Sequence, residues 1–237
     1  VLLRGPGGTA ALVDTGPPGS PAPVVAALAR HGVRRLDALI LSHDSLDHAG
    51  GLADLAGRVR IARVLTPPAP EEGLAAPARA GVAAARAAGA GAGVVRAGDA
   101  VAVGPWRLRI LWPARPLPRG ADPNTGSMVA LAIAGDLDAL LTADAESPTL
   151  APLALPAADV LKVPHHGSED PGLPGVLRRV RPAAAVIPVG EGNPFGHPRA
   201  ATLGALAAAG VPVWRTDLHG DVTVTAAGPG VAVTAGG

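Results

Sequence analysis

The stretch ILSHDSLDHAGG, residues 40–51, decides the reading of this chain. It begins as an apolar run, passes through His43, Asp44, Asp47 and His48, and closes on a Gly-Gly step. The run LDALILS (36–42) has the length of a strand and no apolar–polar alternation, the pattern of a strand covered on both faces. Ionisable side chains just beyond such a strand lie where α/β sheets gather their ligands. Imidazole nitrogen and carboxylate oxygen in one cluster suit Zn²⁺, Mn²⁺ or Fe. A metal held there makes water a nucleophile near neutral pH, and two metals can clamp an in-line phosphoryl displacement.

The same arrangement recurs along the chain. Asp14 ends the run AALVD, Asp144 follows LDALLTA, and His165 and His166 follow DVLKVP. Strand ends that each carry ionisable groups are expected to converge on one site. Between them the pattern alternates strand and helix, which implies helices packed outside sheets. Residues 21–31 suit a helix, with Pro21 at its start and Gly32 after its end. Residues 71–89 read as an Ala-rich helix and 60–67 as a strand, with further strands around 93–96, 100–103 and 106–112. Residues 113–124, rich in proline, form a loop between two similar halves. The second half reads as strands at 127–134, 137–142, 159–163, 183–188 and 211–215, helices near 146–153, 172–180 and 199–209, and a final hairpin over 220–235.

Composition removes several classes of function. With 237 residues and 48% hydrophobic residues the chain can bury a substantial core. It has no cysteine, which excludes thiolate metal sites, disulfides and cysteine nucleophiles. A net charge of +1 gives no bulk attraction to nucleic acid or membrane. No apolar run reaches about 18 residues, so no spanning helix is expected. Tyrosine is absent and Phe195 is the single phenylalanine, which argues against an extended stacking platform for bases. Lys162 is the single lysine; the other basic side chains are arginine and histidine, the signature of a GC-rich genome. The chain opens strand-like and without methionine, as a piece of a longer protein would.

SHDSLDHAGGL resembles the HxHxDH motif of the metallo-β-lactamase superfamily. VDTG resembles that superfamily's first motif, LLTADAE its bridging aspartate, and KVPHHGS its late histidine. The resemblance implies an α/β fold, the αββα sandwich: two mixed sheets flanked by helices, in one domain over residues 1–237. RGPGG, NTGSMVALAI, GNPFGHP and WRTDLHGDVTV narrow the likeness to the C-terminal domain of the ComEC/Rec2 DNA-uptake family. In that family the domain accompanies a membrane channel. The parent protein would then sit in the cell membrane, this domain being soluble and the channel portion of the same chain its partner.

By that resemblance Asp47, His48, Asp144 and His166 hold one metal, and His43 with Asp144 belongs to a second site. Ser45 stands where the second histidine of HxH is expected, and Asn124–Ser127 where a further histidine is usual. A hydroxyl or amide is a poorer ligand for Zn²⁺ than imidazole, so the His43 site is expected to be weak. The oxygen-richer set points to Mn²⁺, one or two ions, with Zn²⁺ as the alternative. Asp14 is expected to orient a histidine ligand, and Ser45 to stand beside the ligands. Asp144, Asp47 and His165 are the expected catalytic residues, and His165, Ser168 and His197 the expected substrate contacts. His165 would bind a phosphate oxygen or protonate a leaving group. Arg115, Arg119, Arg178, Arg179, Arg181 and Arg199 are candidates to follow a DNA backbone. Asp217 and His219 either line the site or build a turn.

The function implied is a metal-dependent DNase that hydrolyses the strand not taken up in natural transformation, with DNA as substrate. Two alternatives stay open. One is a small-molecule hydrolase of lactonase, β-lactamase or phosphorylcholine esterase type. The other is a catalytically degraded module that guides DNA, which Ser45 keeps in play.

Overall fold

The strand-length apolar runs of the sequence pair into sheets in the computed structural model, which describes residues 1–19, 21–228 and 230–236. The chain divides into two units, Val1–Met128 and Val129–Gly237.

In the first unit the strands are β1 (Leu2–Arg4), β2 (Ala10–Val13), β3 (Arg35–Leu36), β4 (Ala38–Ile40), β5 (Arg60–Ile61), β6 (Arg63–Thr66), β7 (Gly91–Val94), β8 (Ala100–Val103) and β9 (Trp106–Trp112). Its helices are α1 (Ala22–Arg30), α2 (Leu46–Ala49), α3 (Leu52–Ala56) and α4 (Ala76–Ala87). The main sheet runs β1-β2-β4-β6-β7. Only β1 and β2 pair antiparallel; Leu12 faces Leu39 and Leu39 faces Val64 in the parallel part. Ala38, Leu39 and Ile40 are fully buried, which is why β4 shows no alternation. Leu12, Leu28, Leu41, Leu52 and Leu55 pack with Leu39 in the core.

Several expectations shift, among them the single strand over 60–67, which is interrupted at Ala62 between β5 and β6, where the Ala62 N–H turns to the Leu36 carbonyl at 2.8 Å. The single strand over 36–42 is broken at Asp37, which bonds twice to Ala10 of β2, accepting its N–H at 3.1 Å and donating to its carbonyl at 2.8 Å. Arg35–Leu36 is left to pair with β5 instead. The Ala-rich helix begins at Ala76 rather than residue 71, because Gly73 closes a turn onto Pro70 and Pro77 fits only the first helical turn.

The second unit holds β10 (Val129–Ala134), β11 (Leu137–Leu141), β12 (Val160–Lys162), β13 (Ala184–Ile187), β14 (Val213–Arg215), β15 (Asp221–Ala227) and β16 (Gly230–Gly236). Its helices are α5 (Ser147–Leu150), α6 (Leu173–Val180), α7 (Ala200–Ala208) and α8 (Thr216–His219). β10 and β11 pair antiparallel, and β11, β12, β13 and β14 follow in parallel. Leu173, Val176, Leu177 and Val180 make the buried stripe of α6. β15 and β16 form the expected hairpin, whose Pro229 lies outside the described residues. Both main sheets are mixed, and in each the parallel strands point their carboxyl ends toward the expected ligands. Among the described residues no helix is long and apolar enough to cross a membrane.

Candidate metal centre

The first unit brings VDTG and SHDSLDH together. Asp14 follows β2 in a left-handed conformation, φ 65°. Its Oδ1 accepts the Ser42 N–H at 2.7 Å; its Oδ2 accepts the Ser42 hydroxyl at 2.8 Å and the His48 Nδ1–H at 2.8 Å. The one hydroxyl proton of Ser42 goes to Asp14, so His43 Nδ1, 3.1 Å from Ser42 Oγ, must be the donor in that contact. This network assigns Nδ1–H tautomers to His43 and His48, so that each offers its Nε2 lone pair to a metal. Both rings are buried, their centroids 4.2 Å apart. The Asp47 carboxylate lies 3.8 Å from His48 Nε2 and is 56% exposed. Burial alone would push the Asp14 carboxyl up. The His48 and His43 rings and the Ser42 amide outweigh it and bring the pKa down to about 2.

The Gly-Gly step makes this convergence sterically feasible. A Cβ on Gly50 would lie 2.3 Å from the Leu46 carbonyl and 2.5 Å from Pro18 Cδ; one on Gly51 would lie 2.7 Å from the Thr15 carbonyl. With no Cβ there, Thr15 N–H reaches the His48 carbonyl at 2.8 Å and Gly51 N–H the Gly16 carbonyl at 2.8 Å. Asp44 faces elsewhere: its Oδ2 accepts the Ala75 N–H ahead of α4. Ser45 is the N-cap residue of α2 but makes no side-chain cap bond. Its carbonyl accepts the N–H of His48 and of Ala49.

The second unit assembles its own half. Asp144 is buried in the turn just past the end of β11, and Lys162 Nζ, also buried, lies 3.6 Å from its Oδ1. Lys162 Nζ donates to the Ala143 carbonyl, so the single lysine of the chain sits inside this cluster. His166 Nε2 lies 3.7 Å from Asp144 Oδ1, and His165 Nε2 3.9 Å from Asp144 Oδ2. Their other ring nitrogens are tied off: His166 Nδ1 donates to the Pro188 carbonyl at 2.7 Å and His165 Nδ1 to Glu146 Oε1 at 2.9 Å. The Ser168 hydroxyl donates to the same Glu146 oxygen, so Ser168 supports His165 through Glu146. His197 sits with its ring centroid 5.8 Å from that of His165. Burial, then the charges of His165, Arg199 and His166, hold the His197 pKa below its ordinary value, against the pull of Asp144.

Backbone strain collects at these residues. Among the described non-glycine residues, Asp14, Ala143, His165, His166 and Arg181 have positive φ. All but Arg181 belong to or adjoin the two clusters, as expected where a site over-determines its backbone. Gly167, at φ 81°, completes the strained turn, and a Cβ on it would lie 2.5 Å from Pro198 Cβ.

No sequence motif marks a role for Ser42, Glu146 or Lys162. Ser42 adjoins His43 and Glu146 lies two residues beyond Asp144, but no spacing rule marks either. Asp217 and His219 build a turn: Arg215 makes a bidentate pair with Asp217, and Arg215 N–H donates to His219 Nδ1 at 2.9 Å. Arg179 leaves the DNA-contact set, because its guanidinium caps the Leu150, Ala151 and Leu153 carbonyls. Arg181 ends α6 in the left-handed region. Arg115, Arg119, Arg178 and Arg199 occupy the surface, Arg178 and Arg199 in the second unit.

Residues 1–191 match the metallo-beta-lactamase superfamily, and the chain belongs to it; members of that superfamily are metal-dependent hydrolases. Two relatives carry the narrower likeness to the ComEC/Rec2 family seen in the motifs. ComE operon protein 3 of Bacillus subtilis is 30% identical over 205 residues, which take in 82% of this chain and 25% of the relative. Recombination protein 2 of Haemophilus influenzae is 33% identical over 199 residues, 83% of this chain and 23% of the relative. The chain thus spans about a quarter of the length of these relatives. Among solved structures, the metallo-beta-lactamase fold protein YhfI from Bacillus subtilis aligns with a TM-score of 0.58 at 16% identity. That alignment covers 90% of this chain and 86% of YhfI, a likeness of fold.

Proposed function

We propose that this chain is the nuclease domain of a DNA-uptake protein of the cell membrane, a metal-dependent phosphodiesterase that hydrolyses the strand not taken up. The observation that carries the reading is the shared state of four imidazoles. His43, His48, His165 and His166 each have Nδ1 held by a neighbouring acceptor, the arrangement that orients an imidazole to ligate through Nε2. The donor set fits a divalent cation. In the reading, Asp47, His48, Asp144 and His166 hold the principal ion and His43 with Asp144 a weaker second one. Mn²⁺ is the preferred ion and Zn²⁺ the alternative. A bound ion would supply a Lewis acid for the phosphate and lower the pKa of a water.

The remaining roles fall to side chains around that set. Asp14 fixes His48 through a direct bond and reaches His43 through Ser42. Glu146 accepts from His165 Nδ1 and orients the ring; carrying a second proton on Nε2, the ring binds a phosphate oxygen or passes that proton to the leaving oxygen. His197 and Ser168 contact or support the substrate on the same side. Residues 1–237 act as one metallo-β-lactamase-like domain, and the channel portion of the parent chain is the partner.

The test is incubation of the purified chain with Mn²⁺ or Zn²⁺ and DNA beside Asp144→Ala. Metal-dependent cleavage that disappears in the variant is the expected result. Equal cleavage by both proteins means a contaminating nuclease and removes the assignment. Turnover of a lactone or a small phosphodiester with no DNA cleavage transfers the site to a small-molecule hydrolase.

A further inference from the structure

The 237-residue chain has one phenylalanine and no tyrosine, and the phenylalanine is not in the core. Phe195 is 68% exposed. Two of the three tryptophans have a clear structural use, since Trp106 and Trp112 each donate Nε1–H to a backbone carbonyl. Phe195 has no such use. Its ring lies nearly parallel to that of His197, at 15° and 6.1 Å between centroids, with solvent on its outer side.

The loop that presents Phe195 is firmly held. Asn193 clamps it to His197 twice: its Oδ1 accepts the His197 N–H at 3.0 Å and its Nδ2 donates to the His197 carbonyl at 2.7 Å. Pro194 and Pro198 limit the backbone on either side. Pro198 packs against Gly167 of the His165–His166 turn, and Arg199 N–H donates to the Gly167 carbonyl at 2.8 Å. The loop is therefore docked on the turn that carries the two histidines.

Within the second unit the rings run in series. His165 Nε2 is 3.9 Å from Asp144 Oδ2, the His165 and His197 centroids are 5.8 Å apart, and Phe195 lies beyond His197. The Arg199 guanidinium lies beside the same loop; a Cβ on Gly196 would be 3.2 Å from its Nη1.

Resting on the nuclease reading, we infer that Phe195 is a base-binding subsite: a nucleobase next to the scissile phosphate stacks on its exposed face. Arg199 faces the adjoining backbone phosphate. An aromatic face accepts any base, so the subsite fixes the strand without reading sequence. A rigid ring costs little conformational entropy on binding, which suits a single contact point. The scarcity of aromatic residues excludes a long stacking platform but not a one-base subsite.

The experiment compares the wild-type chain with Phe195→Ala, Phe195→Leu and Phe195→Trp in Mn²⁺. The substrates are a single-stranded oligonucleotide containing 2-aminopurine and the same oligonucleotide made abasic. Phe195→Ala and Phe195→Leu should raise KM for the base-bearing strand about tenfold with little change in kcat. Phe195→Trp should keep the wild-type KM, and the abasic strand should not distinguish the proteins. Quenching of 2-aminopurine fluorescence on binding should occur with wild type and Phe195→Trp and be lost with Phe195→Ala. Intact cleavage with unchanged KM in Phe195→Ala overturns the subsite and leaves the nuclease reading standing. So does wild-type KM in Phe195→Leu, which would mean bulk rather than stacking. No cleavage by any protein, with quenching still dependent on Phe195, keeps the subsite and removes the nuclease reading. Neither cleavage nor quenching by wild type removes both.

Discussion

Asp14 Oδ2 accepts the Nδ1–H of His48 at 2.8 Å across 34 residues of chain, and through Ser42 the same carboxylate reaches His43. One acidic side chain therefore sets the tautomer of both His43 and His48. Removing it frees both rings to rotate and to take the Nε2–H form, which has no lone pair facing a metal. Asp14→Ala is expected to weaken Mn²⁺ or Zn²⁺ binding by about 10–100-fold. Isothermal titration with each metal measures this, with a melting curve to show that the variant is folded. Metal affinity equal to wild type in a folded Asp14→Ala would mean that the carboxylate has no hold on the ligands.

Some of this was legible in the sequence. His43, Asp47 and His48 lie within six positions, and the buried β4 before them announces itself by lacking alternation. The metallo-β-lactamase fold follows from the order of the motifs, and the chain's superfamily membership agrees. What was not legible depends on contacts far along the chain. Asp37 breaks the strand over 36–42 because it bonds Ala10, 27 residues away. Glu146 earns its role only because the left-handed turn at His165 aims Nδ1 back toward it. Arg179 looked like a surface cation, but its guanidinium is held by carbonyls that follow α5. A single-residue signal cannot carry such partners; only the fold brings them within reach.

Gly167 offers a test of how tightly the histidine turn is built. Its φ of 81° is strained for any residue with a Cβ, and that Cβ would lie 2.5 Å from Pro198 Cβ. Gly167→Ala is expected to lose about 1–3 kcal/mol of stability, read as a fall in the urea midpoint. Gly190→Ala is the control, since nothing lies within 4 Å of a Cβ there. Its change should stay within about 0.5 kcal/mol. Equal midpoints for the two variants would show that the turn relaxes freely.

The Arg215–Asp217 pair gives a pH dependence outside the metal ligands. The Arg215 hydrogen bonds hold the Asp217 carboxyl below its ordinary value of 3.8, against the opposing effect of burial. A depressed folded-state pKa stabilises the fold above the unfolded value and is lost as pH falls through the folded one. Asp217→Asn should therefore be less stable than wild type at neutral pH. The gap should close as pH falls below the ordinary carboxylate range. Melting curves from pH 7 to about 2.5 follow the difference; a gap constant across that range would exclude titration of Asp217 as its source.

Ser45 is the position where this chain departs from HxHxDH, and it is the place to add a ligand. As N-cap residue of α2 it has an extended backbone, φ −61° and ψ 151°, and its hydroxyl makes no cap bond. Replacing it removes no hydrogen bond of the helix start. In Ser45→His a second imidazole joins His43 at the weaker of the two proposed sites. Nitrogen in place of a hydroxyl favours Zn²⁺ over Mn²⁺. The variant is expected to bind the second Zn²⁺ about tenfold more tightly and to retain more metal per chain after dialysis, with a smaller gain for Mn²⁺. Elemental analysis of dialysed protein and titration stoichiometry give the count. Metal content unchanged from wild type, in a protein with an unaltered melting curve, would mean that residue 45 does not face the His43 site and that a single ion serves this chain.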